Sequence, residues 1–332
     1  MRSWPWGALL PVVVRARFAS MCIASEALSA KESEVLARRC ALQVCSLMLT
    51  TAPAEPPLVM VHGLSERQVK LVERAGAETR ASPGLRAWNA TGVVWRDRPA
   101  RLEALSEPAR KYTYHKLHMW DPAFVREPHV SFVDSDAVFV RNASALDARD
   151  LERPAAWFMR DSCKPPNVAW DLWDAGIYID GAKVAKQDAY WNTGVVSYEP
   201  DAAVAAELWR MYGAGDFAAL DPGAYVCEGD VLQTYYWRAS AGALPRKLKA
   251  GWNFRGYKCS YADLERRADL RIVHKEEARS AKMILETCEG VPARQRSDEP
   301  PAFLLALRAA LDEGRCLDPR AAAELRATCP DA

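Results

Sequence analysis

Two aspartates one residue apart, Asp134 and Asp136, are set between apolar runs rich in Val and Phe in the segment HVSFVDSDAVFV, residues 129–140. Val and Phe favour extended backbone. In an extended segment the side chains at i and i+2 point the same way, so the two carboxylates are expected to converge on one cation. Mg²⁺ and Mn²⁺ take one or two carboxylates and leave their other positions to water and to substrate phosphate oxygens, which suits an Asp-x-Asp at the end of a strand. The competing reading is a solvated acidic turn between two strands.

The surrounding chain supplies elements able to hold such a site. Phe18 to Ser25 reads as a strand. Ser33 to Leu49 has helical apolar spacing with Ser33 as its cap, and Pro57 to His62 is a short buried strand. Ser65 to Gly76 is a helix with Ser65 as N-cap and Gly76 beyond its end, and Glu78 to Ala81 is a third extended piece. This β-α-β-α-β order predicts an α/β fold with a mainly parallel central sheet flanked by helices and ligands at the carboxyl ends of its strands. Tyr112 to Trp120 reads as a helix closed by Asp121-Pro122. Further strands are predicted over 155–159, 190–198 and 271–274, the last ending in His274, and helices over 201–212 and 229–239. Past Cys288 a polar linker leads to two Ala/Leu/Arg helices. The domains predicted are a leader or targeting segment, 1–17, a main domain, 18–287, and a helical C-terminal appendage, 288–332.

The chain has 332 residues, 50% hydrophobic and 26% charged, with a net charge of +1. That composition describes a globular protein and gives no general field for nucleic acid or an anionic membrane. Its twelve Trp suit a core as well as they suit a sugar or nucleotide site. The nine Cys contain no C-x-x-C pair, against a zinc ribbon or thioredoxin-type site. An odd count fits reduced cytosolic thiols, or a few disulfides with one thiol left over. Sequons at Asn89-Ala90-Thr91 and Asn142-Ala143-Ser144 lean toward the Golgi or another secretory lumen. The basic, apolar first 25 residues fit a signal peptide, a short signal anchor, a transit peptide or an ordinary first strand. No later stretch has about 18 uninterrupted apolar residues, so no membrane span is expected in the body of the chain.

Five short segments, in order, resemble the glycogenin-like branch of glycosyltransferase family 8. Residues 114–120, YHKLHMW, resemble the family's Thr-Lys-Leu-x-x-Trp helix, and 132–142, FVDSDAVFVRN, its Leu-Asp-Ala-Asp segment with trailing Arg-Asn. Residues 191–195, WNTGV, resemble its Phe-Asn-Ser/Ala-Gly-Val. Residues 228–233, EGDVLQ, resemble Asp-Gln-Asp-x-Leu-Asn, and Ile272-Val273-His274 resembles the strand whose His completes a metal site. The likeness spans roughly residues 18–285. Three departures stand out. Glu228 replaces an Asp, Gly229 replaces the Gln that lies beside the reacting sugar carbon, and the Gly and Lys-Pro-Trp after the His are missing.

The resemblance implies a GT-A type nucleotide-diphospho-sugar transferase fold and a retaining hexosyltransferase that takes a UDP-sugar donor. It implies Mn²⁺ (or Mg²⁺) held by Asp134, Asp136 and His274, and a donor diphosphate met by Asp134, Lys116 and Lys282, or Lys275 in place of Lys282. Asn192, Glu228, Asp230 and Asp161 are then the residues that orient the sugar. The acceptor is a carbohydrate, protein or lipid. Two alternatives remain: a degenerate sugar-nucleotide-binding protein on the same fold, suggested by Gly229 and the lost Lys-Pro-Trp, and a phosphatase of the haloacid dehalogenase type, which also carries Asp-x-Asp after an apolar strand. Turnover of a UDP-sugar with Mn²⁺, abolished by Asp136→Ala, favours the transferase, and UDP binding without turnover favours the binding protein.

Overall fold

The computed structural model describes residues 16–26, 28–86, 112–147, 155–157, 177–179, 182–184, 192–217, 228–239, 246–247, 271–274 and 302–327. The first half is built as the spacing predicts. Strand β1 (Arg17–Ile23) leads to α1 (Ala30–Thr51), β2 (Leu58–His62), α2 (Glu66–Arg74) and β3 (Glu78–Ala81). β1 pairs in parallel with β2, and β2 with β3. A nine-residue 3-10 helix, Tyr112–Trp120, precedes β4 (Val130–Val133), which lies parallel on the other side of β1.

Next come β5 (Ala137–Phe139), β6 (Ala155–Trp157), the hairpin β7 (Ile177–Ile179) and β8 (Ala182–Val184), and β9 (Asn192–Tyr198). Helices α3 (Ala202–Ala214) and α4 (Glu228–Ala239), strands β10 (Arg246–Lys247) and β11 (Ile272–His274), and helices α5 (Ala302–Asp312) and α6 (Pro319–Ala327) complete the chain. The main sheet runs β10-β6-β9-β4-β1-β2-β3. Only β9 opposes its neighbours, β4 and β6; the remaining pairs are parallel. A mainly parallel central sheet with helices on both faces is the architecture expected of a GT-A type fold.

Both faces are packed, which is why the β1 and β2 sequences are apolar almost throughout. On one face Leu58, Met60 and Phe132 meet Tyr114, Trp120, Leu208 and Trp209. On the other, Val59 and Val61 meet Leu42, Val44 and Val72, and the same cluster continues outward to Phe303, Leu307 and Leu325 of the C-terminal helices. α1 is therefore sandwiched: residues 40–47 are buried without interruption. Disulfides Cys22–Cys40 and Cys45–Cys316 fasten it to β1 and to the turn between α5 and α6. Of the two thiol states open from the sequence, the disulfide-bonded one is found.

Two local expectations are corrected. α1 starts at Ala30 and not at Ser33: Ser29 is the cap, its side chain accepting from the Glu32 amide while Glu32 accepts from the Ser29 amide. That Ser-x-x-Glu box satisfies two end donors at once, which Ser33 inside the pattern has no partner to do. The second correction concerns the acidic pair. Asp134-Ser135-Asp136 is a turn, closed by the Ala137 amide on the Asp134 carbonyl at 3.1 Å. Beyond it β5 leaves the main sheet and pairs antiparallel with β11. Asp is favoured at the first position of a turn because its side chain competes for nearby amides, and here that preference overrides the Val/Phe signal on either side. Convergence of the two carboxylates therefore does not follow from strand alternation.

Candidate active site

The acidic turn lies at the carboxyl end of β4, where the sheet changes direction between parallel β4 and antiparallel β9. Such an edge is where open α/β sheets place ligands, because helices cover the faces and the diverging loops leave a crevice. Backbone pairing continues past the strand, since the Asp134 amide donates to the Gly194 carbonyl at 2.7 Å. The motif around Thr193-Gly194 is thereby locked beside the aspartates.

Lys116 holds this region together. It comes from the 3-10 helix, is 0% exposed, and places its ammonium 2.7 Å from Asp134 Oδ1 and 3.0 Å from Glu228 Oε1. It also donates to the Thr193 carbonyl at 3.0 Å, and the Thr193 hydroxyl donates to Glu228 Oε1 at 3.1 Å. Three donors meet acceptors from three different motifs. Burial alone pushes an ammonium down, but Asp134 and Glu228 outweigh it and hold Lys116 above its ordinary pKa. The site thus pairs one buried lysine ammonium with two carboxylates. A direct contact of Lys116 with a bound diphosphate requires that one of these partners be exchanged.

Glu228 and Asp230 occupy the first turn of α4, both buried, as are Gly229 and Gln233. Carboxylates there sit against the positive end of the helix dipole, which offsets part of the cost of burial. Asn192 opens β9, in register with Trp157; its side chain lies outside the described residues. β11 carries His274 opposite Ala137, next in sequence to Asp136. The imidazole itself is outside the described residues, as are Asp161, Lys275 and Lys282. Among the described side chains no three metal-ligating groups form a cluster. What the fold provides is a register: the His274 backbone and the two aspartates share one edge.

Two residues in contact with this edge are not identified by the sequence reading. Gln43 of α1 donates from Nε2 to the Val133 and Asp134 carbonyls at 3.0 and 2.7 Å. Ser46 accepts from the Phe139 amide at 3.0 Å, holding the start of the next segment. A signal was present, since Gln43 and Ser46 are polar residues three apart within an otherwise apolar helix stretch, but helical periodicity scores them only as interruptions.

A second cluster occupies the carboxyl ends of β2 and β3. The His62 and His115 rings lie 4.7 Å apart, and Tyr112 stacks on His115 at 5.8 Å. The Ser82 hydroxyl and His115 Nδ1 are 2.5 Å apart, and His118 Nε2 is 2.6 Å from the Gly84 carbonyl. Burial, with His62 and His118 nearby, pushes His115 down to about 3, so its imidazole is neutral. Gly63, just after β2, has a left-handed backbone (φ 67), and a Cβ there would collide with the Ala24 carbonyl oxygen. That close approach keeps the loops after β1 and β2 together.

No family model matches the chain, and no curated protein matches it. Solved structures that it resembles include the bifunctional glycosyltransferase WbbM in its apo form, at 14% identity and TM-score 0.46, over 81% of this chain and 47% of that one. The galactosyltransferase LgtC in complex with donor and acceptor sugar analogs is similar at 14% identity and TM-score 0.45, over 83% of this chain and 98% of that one. Mouse xyloside xylosyltransferase 1, apo form, is similar at 10% identity and TM-score 0.44, over 79% and 97%. The chain spans about half the length of the first. Likeness at these identities says nothing of what this chain binds.

Proposed function

We propose that this protein is a metal-dependent retaining hexosyltransferase that moves a sugar from a UDP-sugar to a carbohydrate, protein or lipid acceptor. One observation carries the reading: a single buried ammonium, Lys116, joins Asp134, Thr193 and Glu228, so that four segments far apart in the chain meet at the carboxyl edge of the sheet. A fifth, β11, is brought there by its register on β5. A core that needed only packing has no use for this arrangement, since replacing a buried ion pair with apolar side chains is often neutral or stabilising.

The donor set fits a divalent cation of the Mg²⁺ or Mn²⁺ kind. Asp134 and Asp136 offer hard carboxylate oxygens, and His274, on the strand paired beside them, offers an imidazole that favours Mn²⁺ over Mg²⁺. When bound, the cation supplies Lewis-acid stabilisation of charge on the departing diphosphate. The rest is done by the chain. Lys116 fixes the Asp134 and Glu228 carboxylates relative to each other, and the rigid sheet edge holds that geometry without reorganisation. Asn192 and Asp230 flank the same edge and are assigned to sugar hydroxyls, where polar pairing separates similar hexoses. Asp161 is assigned with them, and Lys282 to the diphosphate. The two disulfides are the state thiols take in an oxidising compartment, which extends the proposal to the Golgi or a secretory lumen.

The test is turnover of UDP-glucose, UDP-galactose and UDP-glucuronate with Mn²⁺, in wild type and in Asp136→Ala. Metal-dependent hydrolysis or transfer that the substitution lowers by about 100-fold or more supports the reading. UDP binding with no turnover of any donor replaces it with a sugar-nucleotide-binding role, to which the buried Gly229 would then be the guide.

A further inference from the structure

We infer that Gln43 is a positioning residue that sets the shape of the acidic turn, acting from a helix segment pinned by two disulfides. α1 is buried on all sides over residues 40–47, an environment that selects apolar side chains, yet Gln43 is 3% exposed and Ser46 0%. An amide buried without partners keeps the full penalty of its lost hydration, so a glutamine there needs acceptors. Both hydrogens of its Nε2 find them on consecutive carbonyls, Val133 and Asp134.

The second acceptor is the informative one. The Asp134 carbonyl also receives the Ala137 amide that closes the turn, so both of its lone pairs are engaged, one by the turn and one by α1. Ser46 then holds Phe139 on the far side of the turn, its hydroxyl donating back to the Gln43 carbonyl at 2.6 Å. Thr51 accepts from the Ala143 amide at 3.0 Å, four residues beyond Phe139. Three polar groups on one helix thus track the backbone from the end of β4 past β5. Cys40 and Cys45, on either side of Gln43, are tied to Cys22 and Cys316, which stops the helix from sliding along the sheet. The Gln43 amide donates to backbone carbonyls and not to a carboxylate. It acts through the carbonyl of Asp134, whose side chain meets Lys116.

The link to a ligand rests on the function proposed above; the positioning role does not. Gln43→Met keeps the length and removes both donors. Val72→Ala, a buried residue of α2 in the cluster that α1 shares, is the control for lost packing. Amide exchange read by mass spectrometry is expected to speed about tenfold over residues 130–140 in Gln43→Met, with residues 66–74 unmoved, and the reverse in Val72→Ala. Mn²⁺ binding, titrated with UDP present, is expected to weaken about tenfold in Gln43→Met only. Should Gln43→Met not fold, Gln43→Asn, which keeps an amide too short to reach both carbonyls, takes its place. Exchange over 130–140 that ignores Gln43, or that Val72→Ala raises as much, overturns the inference. Absence of Mn²⁺ binding in wild type removes the transferase reading, while the exchange data still decide the role of Gln43.

Discussion

Among the described residues, one buried cation with two carboxylates occurs twice, at opposite edges of the same sheet. Arg17 opens β1 at the amino edge, where its guanidinium pairs with Glu78 and Glu127 and donates from Nε to the Pro56 carbonyl at 2.8 Å. Lys116 sits at the carboxyl edge with Asp134 and Glu228. The charge count is the same, and the roles differ. The Arg17 fork is planar, each arm spent on a different neighbour, and clamps the starts of β1 and β3 to the segment before β4. Lys116 is a point charge on a flexible stem, and its partners are the residues whose types suit chemistry. Place in the topology, more than charge pattern, separates a clamp from a site.

Removing each cation is the sharpest way to break that comparison. Lys116→Met leaves Glu228 and Asp134 without their counter-ion, and the loss is expected to be about 3–5 kcal/mol, toward the lower end because the Asp134 side chain is 20% exposed. Turnover of a UDP-sugar is expected to fall at least about 100-fold even at a temperature where the variant stays folded. Arg17→Met is expected to cost about 1–2 kcal/mol, since Glu78 is 44% exposed and rehydrates readily, with kcat per folded molecule unchanged. Urea titrations and single-donor kinetics on the two variants check both halves. Equal losses of kcat would erase the distinction between clamp and site.

Much of this contrast is legible in the sequence, and the part that is not has a physical reason. The parallel β1-α1-β2-α2-β3 run is readable because each element buries an apolar face, and its ends carry strong local signals such as Ser65, which caps α2 with Gln68 in return. The segments around Lys116, Asp134, Thr193 and Glu228 can be found by resemblance, residue by residue. Their mutual contacts cannot, because Lys116 and Glu228 are 112 residues apart and no periodicity encodes that pairing. The turn at Asp134 is misread for a related reason: Val and Phe on both sides signal strand equally well whether the two strands share a sheet or, as here, belong to different ones. Gln43 escapes because its partners are backbone carbonyls, which any sequence would supply.

Covalent cross-links sharpen the comparison from a third position. Cys45–Cys316 closes a separation of 271 residues and joins α1, which grips the acidic turn, to the C-terminal helix pair; Arg38 and Asp312 add an ion pair at 2.6 Å across the same junction. Cys45→Ala with Cys316→Ala is expected to cost about 2–4 kcal/mol. In amide exchange the loosening should begin in α5 and α6 and reach residues 130–140 before residues 17–23, because α1 contacts the turn through Gln43 and Ser46. A uniform rise across the protein would show the disulfide to be a global staple with no bias toward the site.

A change of pH probes the two edges without mutation, its effect spread over several units. Glu78 is held below the usual glutamate range by Arg17 first, then Arg80, so its contribution is present above the ordinary value and is lost as pH falls through the lowered one. Lys116 is held above its ordinary value, so its contribution is full below about 10.4 and fades only as pH rises through the raised one. The Arg17 edge therefore weakens in acid and the Lys116 edge in alkali. Next to Lys116 on the 3-10 helix, His115 adds an acid term of its own. Its folded value is pushed down to about 3, so the unfolded chain takes up a proton below about 6.5 that the folded chain refuses. Stability is then lost as pH falls through that window, by at most about 1.4 kcal/mol per unit. Replacing His115 with Gln, which keeps a polar group toward Ser82, is expected to flatten the pH 4–6 limb of the urea midpoint and leave the alkaline limb intact, whereas Lys116→Met should flatten the alkaline limb alone. If one substitution flattens both limbs, these two neighbouring residues titrate as a unit and the clusters are not separable.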